Sequence, residues 1–166
     1  MTRPLAAALL AATACLAGPV KTAPSPVEQA AKQFRPTAGL TTIYVFRDQQ
    51  QWESGMPDNE RFSLELDGNP LGVTVARTFL VTAVDPGPHE LASIADTRAT
   101  LKLEGKAGEV LYVFQEAKYV VGRNTALHLV DAADAQRRIQ SCYLVASAPR
   151  PAPPQFMPEP KPPPGS

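Results

Sequence analysis

Four carboxylates lie close together in the first half of the chain and are the strongest candidates for chemistry. They are Asp48, Glu53, Asp58 and Glu60, in the polar run DQQQWESGMPDNE. Two carboxylates can act as the acid and base of a hydrolase, and several can bind Ca²⁺, but only when the fold holds them at defined distances. Nothing in the sequence fixes these distances. The run is therefore interpreted as a solvated loop, with a secreted or periplasmic hydrolase using the carboxylates from Asp48 to Glu60 as the alternative.

The same run contains Trp52, the only tryptophan, and Met56. An exposed indole offers a large apolar face, and a loop of this length is often functional, so both side chains are candidate contacts for a protein partner or a sugar ring. The other interpretation, which the sequence favours, folds Trp52 back over the edge of a sheet.

Most other classes of chemistry lack support in the sequence. His89 and His128 have no second His, Cys or carboxylate at ligand spacing, which favours packing or surface roles over a metal site. Nucleophile elbows, zinc-protease motifs, P-loops and dinucleotide fingerprints are absent from the sequence. Sixteen basic residues balance sixteen acidic ones, and no basic patch predicts nucleic-acid binding. We therefore predict a protein that is not an enzyme, with no cofactor, no metal and no nucleic-acid partner.

The first residues predict export. Arg3 precedes an apolar run over residues 5–12, and small residues then lead to Cys15. This arrangement resembles a bacterial lipoprotein signal, in which such a cysteine receives lipid and becomes the new N-terminus. An ordinary secretory peptide cut near Ala14 or Ala17 is the alternative. Beyond residue 17 no apolar run approaches the ~20 residues of a membrane span. The predicted contact with the membrane is therefore made by the lipid on Cys15.

The elements that must position any site are organised around residues 62–95. From Phe62 to Asp67 apolar and polar residues alternate as in a strand with one wet face. Turn chemistry follows at 67–70 (DGNP), and Asp85, Pro86 and Gly87 fit a type II turn. We expect the strands separated by these turns, including 78–84 and 89–95, to form a meander of adjacent strands.

Further strands are predicted on both sides of this stretch, at 41–47, 99–104 and 125–130. Residues 110–114 (VLYVF) are apolar at every position, so this strand is expected to be buried on both faces and to need a cover. A short helix is predicted from a capping box at Ser25 and Glu28, and it needs a tertiary contact, which we assign to Phe34.

A second helix is predicted from Ala132 to Ser141, with Asp131 as its N-cap. Its apolar spacing places Ala132, Ala135, Ile139 and Cys142 on one face, so Cys142 is interpreted as a core cysteine. The helix is the candidate cover for residues 110–114.

These elements predict a mainly β fold, an antiparallel β-sandwich of seven to eight strands with a short N-terminal helix and a C-terminal amphipathic helix. The domain organisation is a signal peptide (1–14), a tether (15–26), the β-sandwich domain (27–146) and a Pro-rich disordered tail (147–166). The tail contains PxxP spacings at Pro151 to Pro154 and Pro160 to Pro163, which suit aromatic grooves. A spacer is the interpretation favoured for it.

Several motifs together resemble a bacterial envelope lipoprotein family catalogued as a domain of unknown function. They are KQFRP, IYVFR, LELDGNPLG, PGPHEL, GEVLYVF and LHLVDAADAQRRIQSC, together with the signal ending at Cys15. The DGNPLG and PGPHEL pair also resembles PEGA-type repeats and transthyretin-like sandwiches. The resemblance implies an all-β domain without established catalytic residues. The expected function is that of a non-catalytic, lipid-anchored cell-envelope protein that binds an envelope protein or glycan. Its expected place is the outer membrane, facing the periplasm, with a soluble periplasmic or secreted protein as the alternative.

Overall fold

The structure, a computed structural model, describes residues 20–55 and 57–146. The expectations for the signal peptide, for Cys15, for Met56 and for the Pro-rich segment 147–166 concern residues outside these ranges. The described residues form a mainly β protein, as predicted. Its strands are β1 (Thr41–Arg47), β2 (Phe62–Leu66), β3 (Asn69–Thr74), β4 (Thr78–Val84), β5 (Gly87–Ile94), β6 (Arg98–Gly105), β7 (Val110–Tyr119), β8 (Arg123–Leu129) and β9 (Tyr143–Leu144). Its helices are α1 (Ser25–Ala31), α2 (Gln51–Ser54) and α3 (Ala132–Ile139).

The strands form two sheets that share one aliphatic core. One sheet has the order β8-β7-β1-β4-β9 and the other the order β3-β2-β5-β6. Most neighbours are antiparallel, but β1 pairs with β7, and β4 with β9, in parallel. Nine strands in the described residues replace the expected seven or eight, and the ninth has only two residues.

The predicted meander is wrong on both sides of β4. This strand lies in the five-stranded sheet, whereas β3 and β5 lie in the other sheet, because the chain crosses over after β3 and crosses back after β4. Two adjacent residues of β4, Phe79 and Leu80, are both buried, which requires cover on both faces of the strand. By contrast β3 is an edge strand, a position that suits Pro70 because proline has no N–H to donate. Alternation identified the strands correctly but carried no information about their partners.

The hairpin between β2 and β3 is tighter than predicted. Only Asp67 and Gly68 form the turn, both with positive φ (52° and 75°), which is typical of a type I′ turn. Asn69 and Pro70 already belong to β3. Gly87, the residue expected to need positive φ in the second turn, has φ 132° and begins β5.

We name the two ends of the sheets by their connections. At the closed end lie the short turns 67–68, 85–86 and 106–109, and at the loop end lie the connections 48–61, 95–97 and 120–122. The inward face is aliphatic over most of its length. Its buried members include Ile43, Val45, Leu64, Leu80, Leu91, Leu103 and Val113.

The outer face of the five-stranded sheet is covered by helices, as the sequence predicted for residues 110–114. A second buried cluster joins Tyr44 and Tyr112 to Ala135 and Ile139 of α3. Asp131 caps α3 by accepting a hydrogen bond from the backbone N–H of Asp134 at 3.0 Å. Cys142 is buried in this cluster, which confirms the core cysteine, and burial raises the pKa of its thiol to about 12. Ala132, expected on the same face, is exposed.

The capping box at the first helix is not formed. Pro24 is the N-cap of α1 and makes no side-chain cap, while the carboxylate of Glu28 pairs with Lys32 at 2.8 Å and accepts a hydrogen bond from the backbone N–H of Leu144 at 3.1 Å. The Glu28 carboxylate is therefore bonded to Lys32 and to the backbone of Leu144 and does not form the capping box. The predicted contact of Phe34 is confirmed, since its ring lies 5.4 Å from that of Tyr44.

Candidate functional site

The long connection from β1 to β2 begins at a firmly held residue. The carboxylate of Asp48 accepts two hydrogen bonds from the Arg138 guanidinium, at 2.7 and 2.8 Å. That guanidinium also lies over the rings of Phe114 and Phe46, at 4.1 and 4.9 Å from their centroids. Asp48 therefore fastens the connection to α3 and to the outer face of the sheet.

The one-turn helix α2 was not predicted, and local hydrogen bonds explain it. The carboxylate of Glu53 accepts a hydrogen bond from the backbone N–H of Gln50 at 2.9 Å, which caps the turn. The side-chain oxygen of Gln49 accepts one from the backbone N–H of Ala117 at 2.7 Å. This second bond docks α2 against the last residues of β7.

The docked helix and the adjacent hairpin expose apolar side chains at the loop end. Trp52 is 77% exposed, Tyr119 62%, Val120 72% and Val121 90%. We call these four residues the loop-end patch. The interpretation that Trp52 folds back over the sheet edge is therefore wrong, because backbone contacts made by Gln49 and Glu53 hold α2 and leave the indole in solvent. Single exposed apolar residues are ordinary, but a cluster of large ones indicates a contact surface.

Two shallow depressions adjoin the patch, and both border Gly55. One encloses about 520 Å³ next to Trp52 and Asp58, and the other about 400 Å³ next to Tyr119 and Glu60. Gly55 has φ 70°, and a Cβ added to it would lie 3.7 Å from the Cβ of Tyr119. The backbone of Gly55 thus connects the tryptophan side of the site with the tyrosine side.

The charged groups of the second depression are paired with one another. Arg123 donates to the carboxylate of Asp96 at 2.6 and 3.0 Å and to that of Glu60 at 3.2 Å. The hydrogen bond from the Arg123 side chain, with a second from its backbone N–H, holds the pKa of Asp96 below its usual value. This network ties the turn after β5, the turn after β7 and the end of the long connection together.

Beneath the site the sheet interior is polar. Arg47 is fully buried, its Nη1 donates to the backbone oxygen of Glu60 at 2.7 Å, and its guanidinium lies 4.6 Å from the centroid of Phe62. Its Nε and Nη2 have no partner among the described residues. Burial lowers the pKa of Arg47 to about 10, against the opposing effect of Asp58 and Glu60, so the group is still a cation at neutral pH.

A chain of buried hydrogen bonds continues this polar layer across the interior. Thr74 donates to the side-chain oxygen of Gln115, whose amide nitrogen donates to Ser93 at 2.7 Å. Ser93 in turn lies 2.6 Å from the hydroxyl of Thr125. Four strands, β3, β7, β5 and β8, are thereby joined below the loop end.

The four carboxylates proposed for chemistry are not brought together as a pair. Asp48 is bound to Arg138 and Glu53 to a backbone N–H, while Asp58 and Glu60 line different depressions. Within residues 20–55 and 57–146, no group of three or more His, Cys, Asp or Glu side chains is arranged to hold a metal ion. Asp48, Glu53 and Glu60 are thus held by groups of the protein itself.

The histidines have separate roles at the surface. Nδ1 of His89 lies 2.7 Å from the carboxylate of Asp67, and Nε2 lies 2.7 Å from the backbone oxygen of Asp85. The bond to Asp67 raises the pKa of His89. Since both ring nitrogens are occupied, His89 joins two turns of the closed end and is not available as a base. His128 is exposed beside Glu116, at 3.0 Å.

Sequence reasoning missed the tyrosine side of the patch. The signal was present as three apolar residues, Tyr119 to Val121, immediately before the turn residue Gly122. A hairpin tip is normally polar, so an apolar tip indicates a contact surface. The ion pair of Arg123 with Asp96 joins residues 27 positions apart and had no local signal.

Comparison with known proteins adds no relative: the chain matches no family model, no curated protein and no solved structure. Among the described residues, no helix has the length and apolar character needed to cross a membrane. The fold and the site together define a mainly β protein with exposed apolar side chains at one end of its sheets.

Proposed function

We propose that this protein is a non-catalytic, lipid-anchored cell-envelope protein that binds a protein or glycan partner through the loop-end patch. The observation that carries this proposal is the cluster of four exposed apolar side chains at one end of the sheets. The two valines favour a protein partner, and the aromatic pair also suits a sugar ring. The finer architecture proposed with it is a β-sandwich that presents its loops to this partner.

The direction in which the chain leaves the sheets supports this arrangement. Thr22 pairs with Val145, next to β9, and the backbone N–H of Ala146 donates to the oxygen of Lys21 at 2.9 Å. Because β9 runs parallel to β4, the chain followed from Ala23 back to Val20 runs towards the closed end. Cys15 lies five residues before Val20, at most about 17 Å away. A lipid there would leave the loop end directed away from the membrane.

The pairing of the carboxylates supports a non-catalytic role. Catalytic acids and bases must meet the reacting bond, whereas Asp48, Glu53 and Glu60 each bind a group of the protein itself. Replacing Glu53, Asp58 and Glu60 by Ala is expected to leave the two sheets folded and to abolish no hydrolytic activity. A hydrolytic activity that disappears in this variant, while the fold is kept, would establish the alternative.

Partner binding is tested with matched valine variants. Val121→Ser, in the patch, is expected to abolish capture of a stoichiometric envelope partner and binding to a panel of cell-wall glycans. Val27→Ser, on α1, removes a side chain that is also exposed and should leave both readouts unchanged. Equal binding by the two variants would contradict the assignment of the patch.

The cellular address has its own test. Cys15→Ser is expected to release the protein from the outer-membrane fraction without loss of fold, since Cys15 precedes the described residues 20–55 and 57–146 that form the sheets and helices. Mass spectrometry of the mature wild-type N-terminus should show a lipid-modified cysteine. A soluble wild-type chain that begins at Leu16 or later would instead indicate a periplasmic or secreted protein.

A further inference from the structure

The shape of the loop end suits an extended proline-rich ligand. In a polyproline II helix, which has three residues per turn and a rise of about 3.1 Å, prolines three positions apart project from the same side. Aromatic side chains that flank shallow depressions are the surfaces on which such segments bind. Here Trp52 and Tyr119 flank two depressions that share Gly55.

The charge of the same surface favours a basic ligand. Among the residues that line the two depressions, the acidic side chains are Asp58, Glu60 and Asp96, and the basic one is Arg123. Three negative charges against one positive charge leave a net charge of −2 on the lining, which the buried Arg47 cation beneath Asp58 and Glu60 reduces to −1. A cation within a proline-rich ligand would therefore be attracted.

The chain itself contains two proline motifs, each with one cation. Residues 151–154 read PAPP and follow Arg150, and residues 160–163 read PKPP and follow Glu159. Only the second motif carries its cation, Lys161, between its own prolines, and charge alone does not select between the two motifs.

The length of the chain beyond Ala146 selects the second motif. The backbone N–H of Val145 donates to the oxygen of Phe79, and Phe79 is in register with Phe46 and Phe114 on the next two strands. Measured from Val145, Tyr119 therefore lies five residues further along the strands and three strands across the sheet. At about 3.3 Å per residue and 4.8 Å per strand this separation is about 22 Å. As polyproline II, five residues to Pro151 reach about 16 Å, and fourteen residues to Pro160 reach about 43 Å. Because the chain is directed towards the closed end at Ala146, it must reverse direction before it can reach the loop-end patch. Only the second motif has enough chain before it to do so.

We propose that the loop-end patch and its two depressions form a binding site for a polyproline II segment, occupied by Pro160 to Pro163 of the same chain. The inference rests on the patch of the proposed function and adds its regulation, since an external partner must displace this segment. Lys161 lies near the carboxylates of the depressions, and the prolines lie against Trp52 and Tyr119.

Trp52 reports on this contact directly because it is the only tryptophan. In the purified mature protein, the double variant Pro160→Ala/Pro163→Ala is expected to shift the Trp52 emission to the red and to increase its quenching by acrylamide. The double variant Pro151→Ala/Pro154→Ala is the matched control and should behave as the wild type. Lys161→Ala should give an intermediate shift, and added salt should move the wild type towards this variant but leave Lys161→Ala unchanged.

Identical emission and quenching in the two proline variants would overturn the proposal. Shielding of Trp52 that disappears on dilution would show that the segment comes from a second copy, which also overturns the same-chain assignment. No external partner enters this experiment. Its failure is therefore distinct from failure of the proposed function, which is measured by partner capture with Val121→Ser.

Discussion

The chain reverses direction at both ends of the sheets, through short turns at the closed end and through a long connection at the loop end. At the closed end the turns have two to four residues. Two of them are linked by hydrogen bonds of His89, to the carboxylate of Asp67 and to the backbone oxygen of Asp85. At the loop end, the connection from Asp48 to Arg61 carries a helix of its own and leaves Trp52 in solvent. The interior changes in parallel, from aliphatic side chains to the buried Arg47 and Gln115.

This difference separates the end of the sheets that is packed for stability from the end that carries the exposed apolar side chains. A buried polar layer adds less stability than an aliphatic one of the same volume, unless every group is satisfied. Its presence directly below the loop-end patch suggests that it fixes the connections that carry the patch. The ends can be compared experimentally by disturbing each in turn.

The largest effect is expected from Gln115→Ala, which breaks the polar layer. The substitution leaves a cavity and removes one hydrogen-bond partner from each of Thr74 and Ser93, so the free energy of unfolding should fall by about 3–4 kcal/mol. Urea unfolding measures this loss. Gln33→Ala, at an exposed glutamine, is the control and should change the value by less than about 0.5 kcal/mol. A loss below about 1 kcal/mol for Gln115→Ala would show that the layer has no structural role.

The next effect is expected at the closed end, from Gly105→Ala. An added Cβ would lie 2.9 Å from the Cβ of Thr41, which is buried and donates to the oxygen of Lys106, so the strand must shift. We expect a loss of about 2 kcal/mol in thermal or urea unfolding. Gly72→Ala is the control, because its Cβ would meet only the end of the Leu80 side chain at 3.0 Å, and it should cost less. Equal losses would contradict this explanation.

A smaller effect, dependent on pH, is expected from the closed-end histidine. The folded pKa of His89 is raised, so its contribution is complete below the unfolded value of about 6.5 and is lost as the pH rises through the folded pKa. The pKa of Asp67 is lowered, mainly by the backbone N–H of Glu90, so its contribution is lost as the pH falls through the folded pKa. The stability advantage of wild type over His89→Gln should therefore decrease from pH 6 to pH 9. An advantage that is constant with pH would contradict this contribution of His89.

The smallest effect on stability is expected in the loop-end patch. Trp52→Ala and Val121→Ser remove side chains that are mostly in solvent, so each should change the free energy of unfolding by less than about 0.5 kcal/mol. The same variants should lose partner binding. A patch variant that unfolds at clearly lower urea concentration would mean that its side chain packs against the domain.

Much of the fold was predictable because its signals are local. The boundaries of β1 were predicted to the residue, the N-cap at Asp131 was recognised, and the burial of Cys142 followed from helical spacing. The candidate site was only half predictable. Trp52 was identified as a possible contact, but its exposure depends on the bond between Gln49 and Ala117, which are 68 residues apart.

The sequence by itself determined which residues form strands, where the chain turns and which helix face is apolar, because these properties depend on neighbours a few positions away. Only the tertiary structure decided that β4 lies beside β1, that Arg47 is buried and that Tyr119 adjoins Gly55. Each of these results from a contact between residues at least 13 positions apart. Strand alternation specifies a face but no partner, and for that reason the position of Tyr119 beside Gly55, at the same end of the sheets as Trp52, could be found only in the folded protein.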